Sequence, residues 1–105
     1  MIHRPFLLFT CIALLAGCST HKHVAASHPN GKPEVVIYMK GEGEDAVKVM
    51  EKVYYPSGKL EYVGRFENGV EHGIHYDYSP DGQIYRELHY EKGRLVKEVD
   101  RSKPE

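Results

Sequence analysis

The sequence predicts an all-β fold: an antiparallel β-meander of hairpin repeats forming a single curved sheet. Three observations carry this. First, one pattern is written twice between Tyr54 and Leu95. It reads Tyr54-Tyr-Pro-Ser-Gly58-Lys-Leu60 then Phe66-Glu-Asn-Gly69, and again Tyr78-Ser-Pro-Asp-Gly82-Gln-Ile84 then Tyr90-Glu-Lys-Gly93. Gly58 to Gly82 and Gly69 to Gly93 are both 24 residues, and a fixed period in this range marks a repeat architecture. Second, apolar and polar residues alternate between the glycine turns, as in strands wet on one face. Third, all eight tyrosines lie between Tyr38 and Tyr90. Tyrosine suits a thin sheet, because its ring covers apolar neighbours while its hydroxyl stays in water.

In chain order, residues 1–17 read as a signal peptide. Arg4 and the α-amino group precede the apolar run Phe6 to Ala16, which fits a signal-peptide core and is too short to span a bilayer. Leu15-Ala16-Gly17-Cys18 resembles the lipobox of bacterial lipoproteins. That resemblance implies cleavage before Cys18, diacylglycerol on its sulfur and further N-acylation. Several acyl chains on one residue anchor a protein stably where one chain is marginal. Ser19 stands where aspartate is the usual inner-membrane retention signal, so the resemblance implies the outer membrane of a bacterial envelope, facing the periplasm. With Cys11 removed and Cys18 lipidated, the mature chain has no thiol left for a disulfide.

The mature chain of 88 residues allows one small domain with little room for a core. Without Arg4 it carries 13 Lys+Arg against 15 Asp+Glu, a formal charge of −2. Both signs are interspersed and no basic stripe is present, which argues against nucleic-acid binding. Residues 18–33 read as the lipidated Cys18 and a flexible tether, since Pro29, Gly31 and Pro33 interrupt regular structure. His21, His23 and His28 lie in it without Cys or carboxylate at ligand spacing, so no metal site is expected there.

Residues 34–100 read as the β-repeat domain. Glu34 to Met39 is rich in β-branched and aromatic residues and predicts a strand. Lys40 to Asp45 predicts a wet turn. From Ala46 to Tyr55, Val47, Val49, Val53 and Tyr55 alternate with Lys48 and Lys52. Its Ala, Met, Glu and Lys content also suits a helix; three valines and two tyrosines favour a strand. Pro56-Ser-Gly58 predicts a turn, and Lys59 to Glu67 a strand with Leu60, Tyr62, Gly64 and Phe66 on one side. Asn68-Gly69 is a strong type I′ hairpin signal. His72 to Tyr78 predicts a strand with Ile74, Tyr76 and Tyr78 on one face. Pro80-Asp81-Gly82 turns the chain into a strand from Ile84 to Glu91, with Ile84, Leu88 and Tyr90 together. Lys92-Gly93 turns again into Arg94 to Val99. Residues 101–105 read as a tail. In all, six or seven short strands are expected, with Gly58, Gly69, Gly82 and Gly93 as the repeat turns.

From Tyr54 to Leu95 the chain resembles the MORN-variant repeat, the bacterial form of the membrane-occupation-and-recognition-nexus repeat. The matching pieces are Tyr55-Pro-Ser-Gly58-Lys-Leu60, Phe66-Glu-Asn-Gly69, His72-Gly73, Tyr76-Asp-Tyr78, Asp81-Gly82-Gln-Ile84 and Tyr90-Glu-Lys-Gly93. The second copy departs from the pattern at Lys97, which stands where the first has Gly73. Proteins of this kind include YwqK-like antitoxins, so the resemblance implies an immunity role against a toxin.

No nucleophile triad, phosphate loop or paired carboxylates point to an enzyme. His75 and Asp77 share a strand face and His89 lies on the next strand, but three ligands on one face are not assured. These histidines are read as solvated strand residues, and no metal or cofactor is expected. The function expected is therefore protein binding by a lipid-anchored envelope module. The candidate contacts are Tyr62, Tyr76, Tyr78, Tyr85 and Tyr90, because aromatic anchors dominate interface energetics. The alternative is a structural envelope lipoprotein that scaffolds other proteins or packs on lipid headgroups.

Overall fold

The computed structural model describes residues 19–102. The signal peptide, Cys18 and residues 103–105 lie outside the described residues. Eight strands occur in the order β1 (Thr20–Ser27), β2 (Pro33–Lys40), β3 (Val47–Tyr54), β4 (Leu60–Glu67), β5 (Val70–Glu71), β6 (Gly73–Tyr78), β7 (Ile84–Glu91) and β8 (Arg94–Asp100). They form one antiparallel meander with spatial order β1-β2-β3-β4-β6-β7-β8, and the two-residue β5 pairs with the end of β4. The expected all-β single sheet is what the chain forms, open and curved. The helical option for Ala46 to Tyr55 loses because β3 pairs on both sides, Val36 with Lys52 and Lys52 with Val63.

The expected flexible tether is the main correction. Thr20–Ser27 is a strand, paired along β2 from Thr20↔Lys40 to Ser27↔Pro33. Pro29 and Gly31 do not break the structure; they form the turn that joins two strands. The physical reason is that Pro and Gly stop ladders where they stand inside a strand, but specify a turn where they stand between two.

Three turns share that construction: His28-Pro29-Asn30-Gly31-Lys32, Tyr55-Pro56-Ser57-Gly58-Lys59 and Ser79-Pro80-Asp81-Gly82-Gln83. In each, the first residue's N–H donates to the fifth residue's carbonyl at 2.8 Å. The glycine N–H donates back to the first carbonyl at 2.9, 2.8 and 2.8 Å. The third side chain accepts from the fifth N–H: Asn30 Oδ1 at 2.9 Å, Ser57 Oγ at 3.3 Å and Asp81 Oδ1 at 3.3 Å. Proline pre-sets φ at the second position, and the glycines sit at φ +89°, +98° and +98°, where a side chain would be strained. The chain therefore carries three turn-linked strand pairs, β1–β2, β3–β4 and β6–β7. The first turn precedes the second by 27 residues, not 24, and the extra residues fall between β2 and the paired part of β3. A single 3₁₀ turn, Gly43–Asp45, lies in that connection.

The turns stack along one edge of the sheet. His28 Nε2 lies 2.7 Å from the Tyr54 carbonyl, and the Tyr55 hydroxyl donates to the Tyr78 carbonyl at 2.6 Å. In both cases the first residue of one turn reaches the carbonyl just before the next turn. Asn30 Nδ2 and Lys32 Nζ add bonds to the Pro56 and Ser57 carbonyls at 3.0 and 3.3 Å. At the other edge Asn68-Gly69 and Lys92-Gly93 make the tight hairpins, all four residues having positive φ as a type I′ turn needs.

A single layer buries little. Among the described residues, the apolar side chains under a tenth exposed are Val36 at 2% and Val63 at 6%. The most buried side chain is His75, at 1%. The expectation that His75 is a solvated strand residue is therefore wrong.

Candidate functional site

Directly opposed residues in an antiparallel pair project on the same face, so the register sorts the side chains. One row on the first face runs Val35, Val53, Tyr62, Asp77, Arg86. A row on the second runs Val36, Lys52, Val63, Tyr76, Glu87.

The first face is built around His75. β4 pairs with β6 only at Tyr62↔Asp77 and Val63↔Tyr76, and with β5 at Phe66↔Glu71 and Glu67↔Val70. Between these stretches the chain kinks at Gly73, φ +84°; the Arg65 carbonyl still accepts the His72 N–H at 3.0 Å, while the Arg65 N–H meets the His75 ring in place of a ladder partner. The ring's Nε2 lies 2.9 Å from the Arg65 carbonyl oxygen and 3.1 Å from the Arg65 amide nitrogen, and its Nδ1 lies 2.8 Å from the Tyr62 hydroxyl. A neutral imidazole has one donor and one acceptor nitrogen. With the proton on Nε2 it donates to the Arg65 carbonyl and accepts the Tyr62 hydroxyl proton. With the proton on Nδ1 it donates to the Tyr62 oxygen and accepts the Arg65 N–H. Both ring nitrogens have a partner in either tautomer, but only the Nδ1–H form also accepts the Arg65 N–H.

The rings of Tyr90, Tyr62 and Phe66 enclose the imidazole, with centroids 4.6, 5.9 and 5.9 Å away. Gly64 lies beneath the Tyr62–His75 bond. A Cβ there would stand 2.2 Å from the Tyr62 hydroxyl oxygen and 3.1 Å from His75 Nδ1. Burial pushes the His75 ring below its ordinary 6.5 and, with help from the Glu51 charge, pushes the Tyr62 hydroxyl up to about 12. Charged pairs border the cluster: Lys48 to Glu51 at 2.7 Å, and Arg86 to Asp77 at 2.8 Å. This face is closed over its own cluster.

The second face is open in that no second layer of the described residues packs over it, although Val36 and Val63 are buried within it. Tyr38, Tyr54, Tyr76 and Tyr78 lie on it, with Met50 and Ile74 among them, and all six are half-buried. Tyr76 and Tyr78 rings are 6.4 Å apart, and the Lys52 ammonium lies 5.3 Å from the Tyr38 ring centroid. At one end a groove of about 250 Å³ is lined by Lys22, Lys32, Pro33, Val36, Tyr54 and Gly58.

The five tyrosines expected as contacts do not form one surface. Tyr76 and Tyr78 share the second face; Tyr62 and Tyr90 pack against His75 on the first. Tyr85 is exposed, at 37%, and is the extra residue of a bulge in β7. That bulge also separates Ile84 from Leu88 and Tyr90: Ile84 pairs with Tyr78, whereas Leu88 pairs with His75. Strict alternation had put all three together, and one extra residue moves a side chain to the other face. Tyr38 and Tyr54, which the sequence reading passed over, join the open face. Their even spacing from Val36 and Lys52 was the available signal. Gly58, Gly69, Gly82 and Gly93 all have positive φ, and Gly31 is a further turn glycine of the same kind. Among the described residues no three His, Cys, Asp or Glu side chains converge in a metal-holding group.

No curated protein and no solved structure matches the chain. The family model described as MORN repeat variant matches residues 50–68 and 71–92. Each match begins near the first strand of a turn-linked pair and ends near the second, so β3–β4 and β6–β7 are its two copies. The β1–β2 pair, which has the same turn, lies upstream of both matches. This stretch of the sheet is built of MORN-like repeats.

Proposed function

We propose that the protein is a binding module that presents the second face of its sheet to another protein, held at a bacterial envelope membrane through Cys18. One observation carries the reading: four tyrosines, Met50 and Ile74 form a half-buried surface over which no second layer of the described residues packs. A surface of this kind, with aromatic and methionine side chains at its centre, has the composition of a binding patch. Lys22, Lys52, Arg65 and Lys97 project with it, while its Glu87 is already engaged by Arg101 and His89. The partner it fits therefore has an apolar patch bordered by carboxylates.

The edges are less suited to partners. β1 and β8 each carry a bulge and a lysine, Lys22 and Lys97, and both devices discourage strand addition. The finer reading, supported by the resemblance to YwqK-like antitoxins, is immunity: the partner is a toxin that the module caps at the outer membrane, facing the periplasm. The lipobox residues Leu15 to Cys18 support the anchor.

The test is affinity capture from envelope extract with the intact chain, beside Tyr76→Ser/Tyr78→Ser and Tyr85→Ser variants. A stoichiometric partner lost with the first variant and kept with the second is the expected result. Capture indifferent to the Tyr76 and Tyr78 changes overturns the face assignment. Rescue from a partner that is toxic when expressed alone decides the immunity reading, and labelled fatty acid incorporated by the wild type but not by Cys18→Ala decides the anchor.

A further inference from the structure

His75 does something that no binding surface requires. It is the most buried side chain described, it is ionisable, and its ring takes the place of a ladder partner for the Arg65 N–H. We propose that His75 is an acid-sensitive clasp between β4 and β6: taking up a proton expels its ring from the seat beside Arg65 and opens the sheet between its last two turn-linked strand pairs.

The geometry sets the sign. In the neutral ring one nitrogen accepts, from the Tyr62 hydroxyl when the proton is on Nε2 and from the Arg65 N–H when it is on Nδ1, so only the Nδ1–H tautomer pairs that amide. The imidazolium has donors on both nitrogens. It keeps the Arg65 carbonyl and can turn the Tyr62 hydroxyl into an acceptor. Like the Nε2–H tautomer it leaves the Arg65 N–H facing an N–H, but unlike either neutral form it places a charge where the ring is 1% exposed and enclosed by Tyr62, Phe66 and Tyr90. The groups that face the ring come from five strands. They are Lys48 and Glu51 of β3, Tyr62 of β4, Glu71 of β5, Asp77 of β6, and Arg86 and Tyr90 of β7. Lys48 and Arg86 are paired with Glu51 and Asp77, so neither pair offers an unneutralised carboxylate to stabilise the new charge. Glu71 and Asp77 favour the charged ring and the Arg65 side chain opposes it, but desolvation is the largest influence and favours the neutral form.

Linkage then gives the pH window. The folded protein binds this proton less readily than the unfolded chain does, so the unfolded state gains protons first as pH falls. Stability from this residue is complete above about 6.5, the ordinary histidine value. It falls as pH drops through the interval between that value and the lower folded one. The position also distinguishes the two repeats. Val99 stands 24 residues after His75, so the next copy lacks the clasp. Opening there separates the Tyr38–Met50 half of the open face from the Tyr76–Tyr78 half.

The experiment is urea unfolding of the full chain at pH 7.5 and pH 5.0, wild type beside His75→Gln, with NMR of the His75 ring carbon in the wild type over the same range. The wild-type midpoint is expected to fall between the two pH values. The folding constant should drop up to tenfold for each unit by which the folded pKa is depressed. His75→Gln retains hydrogen-bonding capacity without a titratable proton, and its midpoint should fall less. The ring carbon should hold its neutral shift until β4 and β6 amide signals collapse with it. An equal fall in the variant, or a ring that titrates while the fold stays intact, overturns the clasp. If His75→Gln does not fold, the wild-type ring titration alone decides.

Discussion

Gly64→Ala is the most direct test of the His75 cluster. The position has an ordinary extended backbone, so alanine introduces no backbone strain, and the loss of unfolded-state freedom alone would stabilise the protein by about 0.4–1 kcal/mol. The contacts oppose this. The new Cβ would lie 2.2 Å from the Tyr62 hydroxyl oxygen, 2.8 Å from its Cζ and 3.1 Å from His75 Nδ1. Tyr62 must swing away, since the imidazole is enclosed by three rings and cannot yield. The displaced hydroxyl leaves a polar atom of a fully buried ring without its partner, which costs about 1–3 kcal/mol. Overpacking adds about 1–3 kcal/mol. The net expectation is a loss of roughly 2–4 kcal/mol. For a domain of this size that lowers the melting temperature by at least about 10 °C. Thermal and urea unfolding of Gly64→Ala, Tyr62→Leu and the double variant form a cycle. Removing the tyrosine should absorb much of the alanine's cost, because the clash and the broken bond are one event. A Gly64→Ala protein as stable as wild type, or costs that simply add, would refute the reasoning.

Three further outcomes follow from the same geometry. Deleting residues 20–27 should lower the melting temperature by several degrees and broaden β2 amide signals, because β1 pairs along β2 beside the buried Val36; a true tether could be removed without effect. Lys92→Asn should stabilise by about 0.5–1 kcal/mol in urea unfolding, since Lys92 holds φ +51° where the matching turn has Asn68. In alkali, Tyr62 should stay protonated in the folded state until about pH 12, while the unfolded chain ionises near pH 10. Stability should therefore fall between those values, and Tyr62→Phe should reduce that fall when melting curves are compared.

The fold was largely legible in the sequence because its signals are local. Gly58, Gly69, Gly82 and Gly93 mark turns whose φ values no other residue adopts as easily, and alternation between them fixes strands without reference to distant residues. The 24-residue period supplied the order. The β1–β2 pair reads as a tether for two reasons: the connection after β2 shifts its turn to a 27-residue spacing, and the polar strand Thr20–Ser27 has no apolar alternation. The turn His28-Pro29-Asn30-Gly31-Lys32 nevertheless matches the later two position by position, and an aligned comparison of X-Pro-X-Gly motifs would have found it.

The sequence by itself determined the all-β class, the turns and most strand boundaries, since each depends on neighbouring residues and backbone preferences. The tertiary structure decided which side chains meet. Register divided the tyrosines between two faces, since Tyr62 stands opposite Asp77 and Tyr76 opposite Val63, and the bulge in β7 moved Ile84 away from Leu88 and Tyr90. The kink at Gly73 sets the His75 ring in place of a ladder partner for the Arg65 N–H and turned a histidine with a polar-strand pattern into the most buried side chain of the sheet. Register and kinks depend on residues brought together from different strands, and no stretch of the chain contains both partners of such a contact.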